Sequence, residues 1–351
     1  MPTRSGKTLL AMGAAAALVL AACNGDDDAE GTGEPSGLAW ATSDTGSAGH
    51  SALVALASML NDQWDGPEID VLPTAGAVQS VNGYAMGEFA GYYGADVAFE
   101  EMAGDTGRFE DFSDRAEREP VQSFWAYPME TGLAVHARDA DELSGWGDLA
   151  GEEVFTGPRP WDVRANLERA MDAVDVGHSY VEVDNDVAGS ALEGGDVRAI
   201  IAYTAGESDP PPWLTEAELQ TDLHVLNPDE GEVDELERQG FELVEVDASV
   251  FGSDVGGDTA MLVPFFYGFH VGVDELDEDA MYEKLTVISD NVEQLAQADG
   301  SFDILAEDMA EMQRRGVEAA IDDVEVHPGL ARWMADAGVW DEAWDDRIAQ
   351  P

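Results

Sequence analysis

Short apolar runs alternate with amphipathic stretches along most of this chain, and that alternation limits its fold more than any other feature. Gly37–Ala41, Ile69–Leu72 and Ala95–Phe99 read as strands. Between them, Ser51–Trp64 sets Leu53, Val54, Leu56, Ala57 and Leu60 on one side of a helix, and Val78–Met86 reads as a second helix. The pattern restarts after Gly132, with strands at Leu133–Ala137 and Val154–Thr156, a helix at Val163–Val174, and strands at Val197–Tyr203 and Phe241–Val246. This order predicts an α/β fold of two units, each a mostly parallel sheet with flanking helices. The apolar stretch Met261–Val273 is expected to return the backbone to the first unit. A long helix over Asp279–Ala298 follows, whose stripe of Met281, Leu285, Ile288, Val292 and Leu295 reads as core.

Charge narrows the partners. The 351 residues carry 74 acidic and 16 basic side chains, a formal charge of −58. A protein that tracks phosphates needs a basic stripe, and here the only lysines are Lys7 and Lys284, with the arginines scattered. Nucleic acid is therefore excluded as a partner, and an anionic lipid surface would repel the chain. With 44% hydrophobic residues the chain still builds real cores. Self-repulsion of this size is relieved only by strong screening, so the protein is expected to be salt-adapted (halophilic).

The first residues form a second signal. Arg4 and Lys7 precede the apolar run Leu9–Ala22, which is too short to span a bilayer and has the three-part pattern of a secretory leader. Leu20-Ala21-Ala22-Cys23 closes it like a lipoprotein processing site, so residues 1–22 are expected to be removed and Cys23 lipidated. That thiol is the only cysteine, which leaves no disulfide within the chain. Residues 23–36, rich in Asp, Gly and Ser, read as an acidic flexible tether; Asp26-Asp27-Asp28 within it could attract calcium weakly, but a solvated run is the simpler reading. The predicted location is the extracytoplasmic face of the cell membrane.

Four stretches in order resemble one family. Gly76-Ala77-Val78-Gln79-Ser80-Val81-Asn82-Gly83-Tyr84-Ala85-Met86-Gly87-Glu88 followed by Ala95-Asp96-Val97-Ala98, then Tyr127-Pro128, then Leu149-Ala150-Gly151 with Val154, and finally His327-Pro328-Gly329 are similar to motifs of the TAXI family, the solute receptors of TRAP-type transporters. The resemblance spans roughly Leu38 to Gly338. It implies a two-lobed, type II periplasmic-binding-protein fold whose lobes close over a small solute, commonly a carboxylate or amino acid. Lobe I would comprise residues 37–125 and 259–351, and lobe II residues 126–258. The partners implied are a small solute and TRAP-type membrane subunits; no enzyme activity, cofactor or metal is expected.

In open α/β sheets ligands sit at the carboxyl ends of strands, where helix N-termini present free amides. Three loops fit: Thr42–Ser47, Gly76-Ala77 and Gly157–Asp162. The candidate ligand-binding residues are Ser43, Asp44, Ser47, Gly76, Gln79, Asn82, Tyr127, Arg159, Trp161, Asp162, Arg164 and Tyr203. Two departures from the family pattern stand out: Gly49 and His50 replace a pair of tyrosines, and Trp161-Asp162-Val163 replaces a Gly-Ser-Gly-Thr turn. Asp44 and Asp162 are read either as helix caps or as cleft groups favouring a solute with a cationic centre. Arg159 or Arg164 would then take its carboxylate in a bidentate grip.

Two rivals share these residues. Asp44-Thr45-Gly46 and Asp105-Thr106-Gly107 look like the paired active-site turns of pepsin-like aspartic proteases, in which two aspartates share a proton. A ligand-sensing lipoprotein that signals to a membrane partner would keep the same binding fold. No GxSxG elbow, HExxH helix or P-loop occurs, and the six histidines are far apart in sequence.

Overall fold

Two long strands organise the molecule. In the computed structural model, which describes residues 37–45, 47–252, 255 and 257–350, the first elements are β1 (Gly37–Ala41), α1 (Ala48–Gln63), β2 (Glu68–Leu72), α2 (Ala77–Ala85), β3 (Gly91–Ala95) and α3 (Asp96–Ala103). The long strand β4 (Trp125–His136) leads to β5 (Glu153–Phe155), α4 (Asp162–Ala173), β6 (Ser179–Tyr180), α5 (Ala188–Gly194), β7 (Ala199–Ala205), α6 (Pro212–Glu218), β8 (Leu223–Leu226), α7 (Glu230–Arg238) and β9 (Val244–Asp247). The second long strand, β10 (Thr259–Val271), is followed by α8 (Glu278–Asp290), α9 (Val292–Ala298), α10 (Asp303–Ala319) and α11 (Pro328–Ala337). The expected leader, Cys23 and tether lie outside the described residues.

The sheet runs β2-β1-β3-β10-β4-β7-β5-β6, with β8 added to β4 and β9 to β10. Parallel pairing occupies both flanks, β1 with β2 and β3, and β5 with β6 and β7. The centre is antiparallel because β10 returns against β3 and β4. Each long strand serves two neighbourhoods. β10 pairs through Thr259–Leu262 with β9 and through Tyr267–Val271 with β3, while β4 passes from β10 at its start to β7 and β8 at its end. Every residue of β4 is buried, as a strand covered on both faces requires.

Local chemistry explains most boundaries. Ser47 caps α1 by accepting from the His50 amide at 3.2 Å, and Asp229 and Glu232 form a capping box on α7. At His327-Pro328-Gly329 the histidine ring accepts from the Gly329 amide at 3.1 Å, and its other nitrogen meets the Leu276 carbonyl at 2.9 Å. Burial pushes that imidazole down to about pKa 4, so it stays a neutral cap. A Cβ on Gly329 would lie 2.6 Å from Met281 Cβ, so the glycine lets α11 close on α8.

Four expectations are corrected. Ala95–Phe99 is not a strand: the strand ends at Ala95, and Asp96 opens α3. Tyr92 and Tyr93 carry the β-propensity, and Gly91 leaves space for the Trp40 ring, 2.5 Å from where its Cβ would stand. The strand after Gly132 begins earlier, at Trp125, because the ladder to β10 extends it. Phe241–Val246 pairs only from Val244 onward. Finally, the helix over Asp279–Ala298 is two helices, broken at Asn291, whose side-chain amide donates to the Val287 carbonyl at 2.8 Å.

Candidate functional site

The loops after β1 and β2 lie side by side at the strands' carboxyl ends. The Thr42 amide donates to the Leu72 carbonyl at 2.9 Å, and the Thr74 hydroxyl donates to the Thr42 carbonyl. Ser43 and Ser47 share a hydroxyl contact of 2.6 Å. Ser80 on α2 fixes the third strand by donating to the Ala41 carbonyl at 2.9 Å and accepting from the Tyr93 amide at 2.8 Å. Gly76, the residue before α2, has φ 153°, and a Cβ there would meet nothing within 4 Å.

Tyr93 carries this arrangement toward the long strands. Its ring stacks on that of Tyr267 at 4.5 Å and 8°, and its hydroxyl meets the Tyr127 hydroxyl at 2.8 Å. A Cβ on Gly49 would stand 2.6 Å from the Tyr93 ring and 2.8 Å from the Ser43 hydroxyl. Gly49 thus makes room for a tyrosine from β3. Burial raises the pKa of Tyr93, Tyr127 and Tyr267 above the ordinary phenol value, so all three hydroxyls keep their protons.

Asp162 joins the cluster from the other side. It is 3% exposed, accepts from the Tyr267 hydroxyl at 2.6 Å and takes Arg108 Nη1 at 2.5 Å. The same Arg108 nitrogen donates to the Pro160 carbonyl at 3.0 Å, and Arg108 Nε donates to Glu101 at 2.6 Å. Beside them Asp96 is buried and accepts from the Phe266 amide at 2.8 Å; burial, opposed by Arg169, pushes its carboxyl up to about pKa 6. Side chains from β3, both long strands, the starts of α3 and α4 and the turn at Arg108 therefore converge on one buried polar cluster.

The predicted residues divide between this cluster and the surface. Tyr127 and Asp162 belong to the cluster, with Ser43 and Ser47 at its edge through Gly49. Asp162 does not cap α4, since Trp161 holds the cap position with no side-chain bond. Asp44 is exposed and does not cap α1, a role taken by Ser47. Gln79 accepts from the Ala75 amide at 3.0 Å and Asn82 donates to the Val78 carbonyl at 2.7 Å, so both are engaged with their own helix and its approach. Arg159 and Arg164 lie over the Tyr180 ring, and Arg164 also pairs with Glu168 at 2.9 Å. Trp161 is 45% exposed, and Tyr203 is buried, accepting from the Trp213 indole at 3.2 Å. Arg108 and Tyr93 were not predicted, and no local pattern marks them.

The protease reading gains no geometry. Asp105 accepts from the Ser113 amide at 2.7 Å and from its hydroxyl, and those bonds lower its pKa. Among the described residues no hydrogen bond joins it to Asp44. Nor is any group of three or more His, Cys, Asp and Glu residues among them arranged to hold a metal ion. Two concavities, about 450 Å³ beside Arg138 and Arg198 and about 940 Å³ between α1 and α9, are lined by none of the cluster's side chains.

No family model matches the chain, and no curated protein does. Among solved structures, the chain is similar to the periplasmic aliphatic sulphonate binding protein SsuA from Escherichia coli, at 14% identity over 91% of this chain and 93% of that one, with a TM-score of 0.44. A TRAP periplasmic solute binding protein from Sulfitobacter sp. NAS-14.1 with bound β-D-galacturonate is 9% identical over 86% and 93%, with a TM-score of 0.40. The ligand binding component of an ABC-type import system from Staphylococcus aureus, with zinc bound, is 9% identical over 90% and 97%, with a TM-score of 0.43.

Proposed function

We propose that this chain is a lipid-anchored extracytoplasmic solute-binding protein that delivers a small polar organic solute, an amino acid or organic acid, to the membrane subunits of a TRAP-type transporter. Its two lobes would be residues 37–125 with 259–351, and residues 126–258. The observation that carries this reading is the convergence of both halves on Tyr93, Tyr127, Tyr267, Arg108 and Asp162, with β4 and β10 as the strands that pass between them. Hydroxyls with an ion pair suit a polar solute. The leader pattern ending at Cys23 and the order of the four motifs support the location and the transporter class. Solute contacts made only with the lobes together would shift the open-closed equilibrium, and no covalent step is required.

The test is a thermal-shift screen of the full chain in mild detergent and molar salt, against amino acids, dicarboxylates, keto acids, polyamines and sugars. One class raising the midpoint, by mass action, is the expected result. A folded protein that responds to none would overturn the reading. The anchor is tested separately: labelling with a radioactive fatty acid should mark the wild type and leave Cys23→Ala unlabelled, and an unlabelled wild type would refute lipidation at that thiol.

A further inference from the structure

We propose that Arg108 receives the anionic end of the solute, and that Asp162 holds that place while no solute is bound. The inference rests on the solute-binding reading and adds to it the receiving group and an internal competitor. One guanidinium here serves two carboxylates. Glu101 belongs to α3, seven residues before Arg108, and travels with it. Asp162 lies 54 residues away, at the start of α4. It is the carboxylate that leaves when the two halves separate.

The surroundings of Asp162 are those a bound carboxylate needs. One oxygen takes Arg108 at 2.5 Å and the other takes the Tyr267 hydroxyl at 2.6 Å. Behind Tyr267 stands the stacked Tyr93, whose hydroxyl continues to Tyr127 at 2.8 Å. A charge-assisted pair flanked by protonated phenols is a strong carboxylate receptor, and it is filled by the protein's own side chain. The other arginines predicted for this role stand elsewhere. Arg159 is 65% exposed, and Arg164 is held between Glu168 and the Tyr180 ring. With Asp96 buried nearby, the cluster also holds more carboxyl groups than Arg108 alone can neutralise.

If Asp162 competes with the solute, removing its charge must tighten anion binding rather than weaken it. A receptor whose competent state is only partly populated binds with an affinity reduced by that fraction. The experiment titrates the full chain with acetate and with succinate, replacing chloride at constant ionic strength, and follows heat and thermal midpoint. Asp162→Asn is expected to bind at least roughly tenfold tighter than wild type, and Asp162→Asn with Arg108→Met to return to background. Arg108→Lys, which keeps the charge, guards against a folding defect. Asp162→Asn binding no tighter than wild type, or the double variant binding as tightly as Asp162→Asn, would overturn the proposal. A wild type that takes one solute class from the screen, with an affinity Asp162→Asn leaves unchanged, overturns the exchange and leaves the receptor standing. A folded wild type and a folded Asp162→Asn that both take nothing overturn both readings.

Discussion

Lys284 is fully buried, with its ammonium 4.6 Å from the centre of the Trp40 ring and no hydrogen-bond partner among the described residues. Burial pushes its pKa down from 10.5 to about 7. The unfolded amine therefore holds a proton that the folded one gives up, and the resulting destabilisation is complete below pH 7 and lifts as pH rises to 10.5. Lys284→Met keeps the stem and removes the charge. It should stabilise by roughly 4 kcal/mol at pH 7, less whatever the ring contact contributes, and by nothing above pH 10.5. Denaturant melts at pH 6, 7 and 10 check this, and equal stability at pH 7 would refute it. Glu130 acts with the opposite sign. It is buried in β4, accepts from the Thr204 hydroxyl at 2.5 Å and the Glu207 amide at 3.1 Å, and burial pushes its carboxyl up from 4.5 to about 8. The folded chain keeps that proton where the unfolded chain has lost it, so stability falls as pH rises from 4.5 to 8. Glu130→Gln should remove that fall, and the difference between wild-type and variant melts across this window measures it.

Among the elements, α10 is hydrogen-bonded to the backbone at the start of β4 through Gln313. Gln313 accepts from the Trp125 amide at 2.8 Å and donates to the Trp125 carbonyl at 2.7 Å, so its amide acts as a ladder partner at the start of β4. Gln313→Leu would leave both backbone groups buried and unpaired, and should cost roughly 2–4 kcal/mol in urea melts. A cost under 1 kcal/mol would mean the helix docks by its apolar face alone. Nothing in the residues around Gln313 announces this role, which shows where sequence reading stops. β1, α1, β2, α2, α4 and β10 were legible because each buries one face and so repeats its apolar residues at its own period. The run at Ala95–Phe99 fits either period, and the strand was misplaced by the length of its apolar tail. β8, at Leu223–Leu226, is too short to register a period. The break at Asn291 was hidden because Leu285, Ile288 and Leu295 are all buried on either side of it. The site follows the same rule. The loops at the ends of β1 and β2 were found from element order, but the Arg108–Asp162 pair joins positions whose only relation is tertiary. His327-Pro328-Gly329 is explained by capping and close packing of α11.

At the scale of the molecule, a charge of −58 sets the balance between folded and unfolded states. Like charges on a folded surface repel more than they do on an expanded chain, and a salt near molar concentration shortens their reach to about 3 Å. The melting midpoint should therefore rise steadily from 0.05 to 2 M sodium chloride, at a pH where the carboxylates stay ionised, and a flat response would refute salt adaptation. The buried pairs belong to a different regime. Asp162 is 3% exposed and held by Arg108 and Tyr267, so little salt reaches between them. The stability difference between wild type and Asp162→Asn should then stay constant across the same range of salt, while the absolute midpoints of both climb. Were that difference instead to shrink with salt, the ion pair would be solvated in the free protein, and Arg108 would already stand open to an anion before any solute arrived.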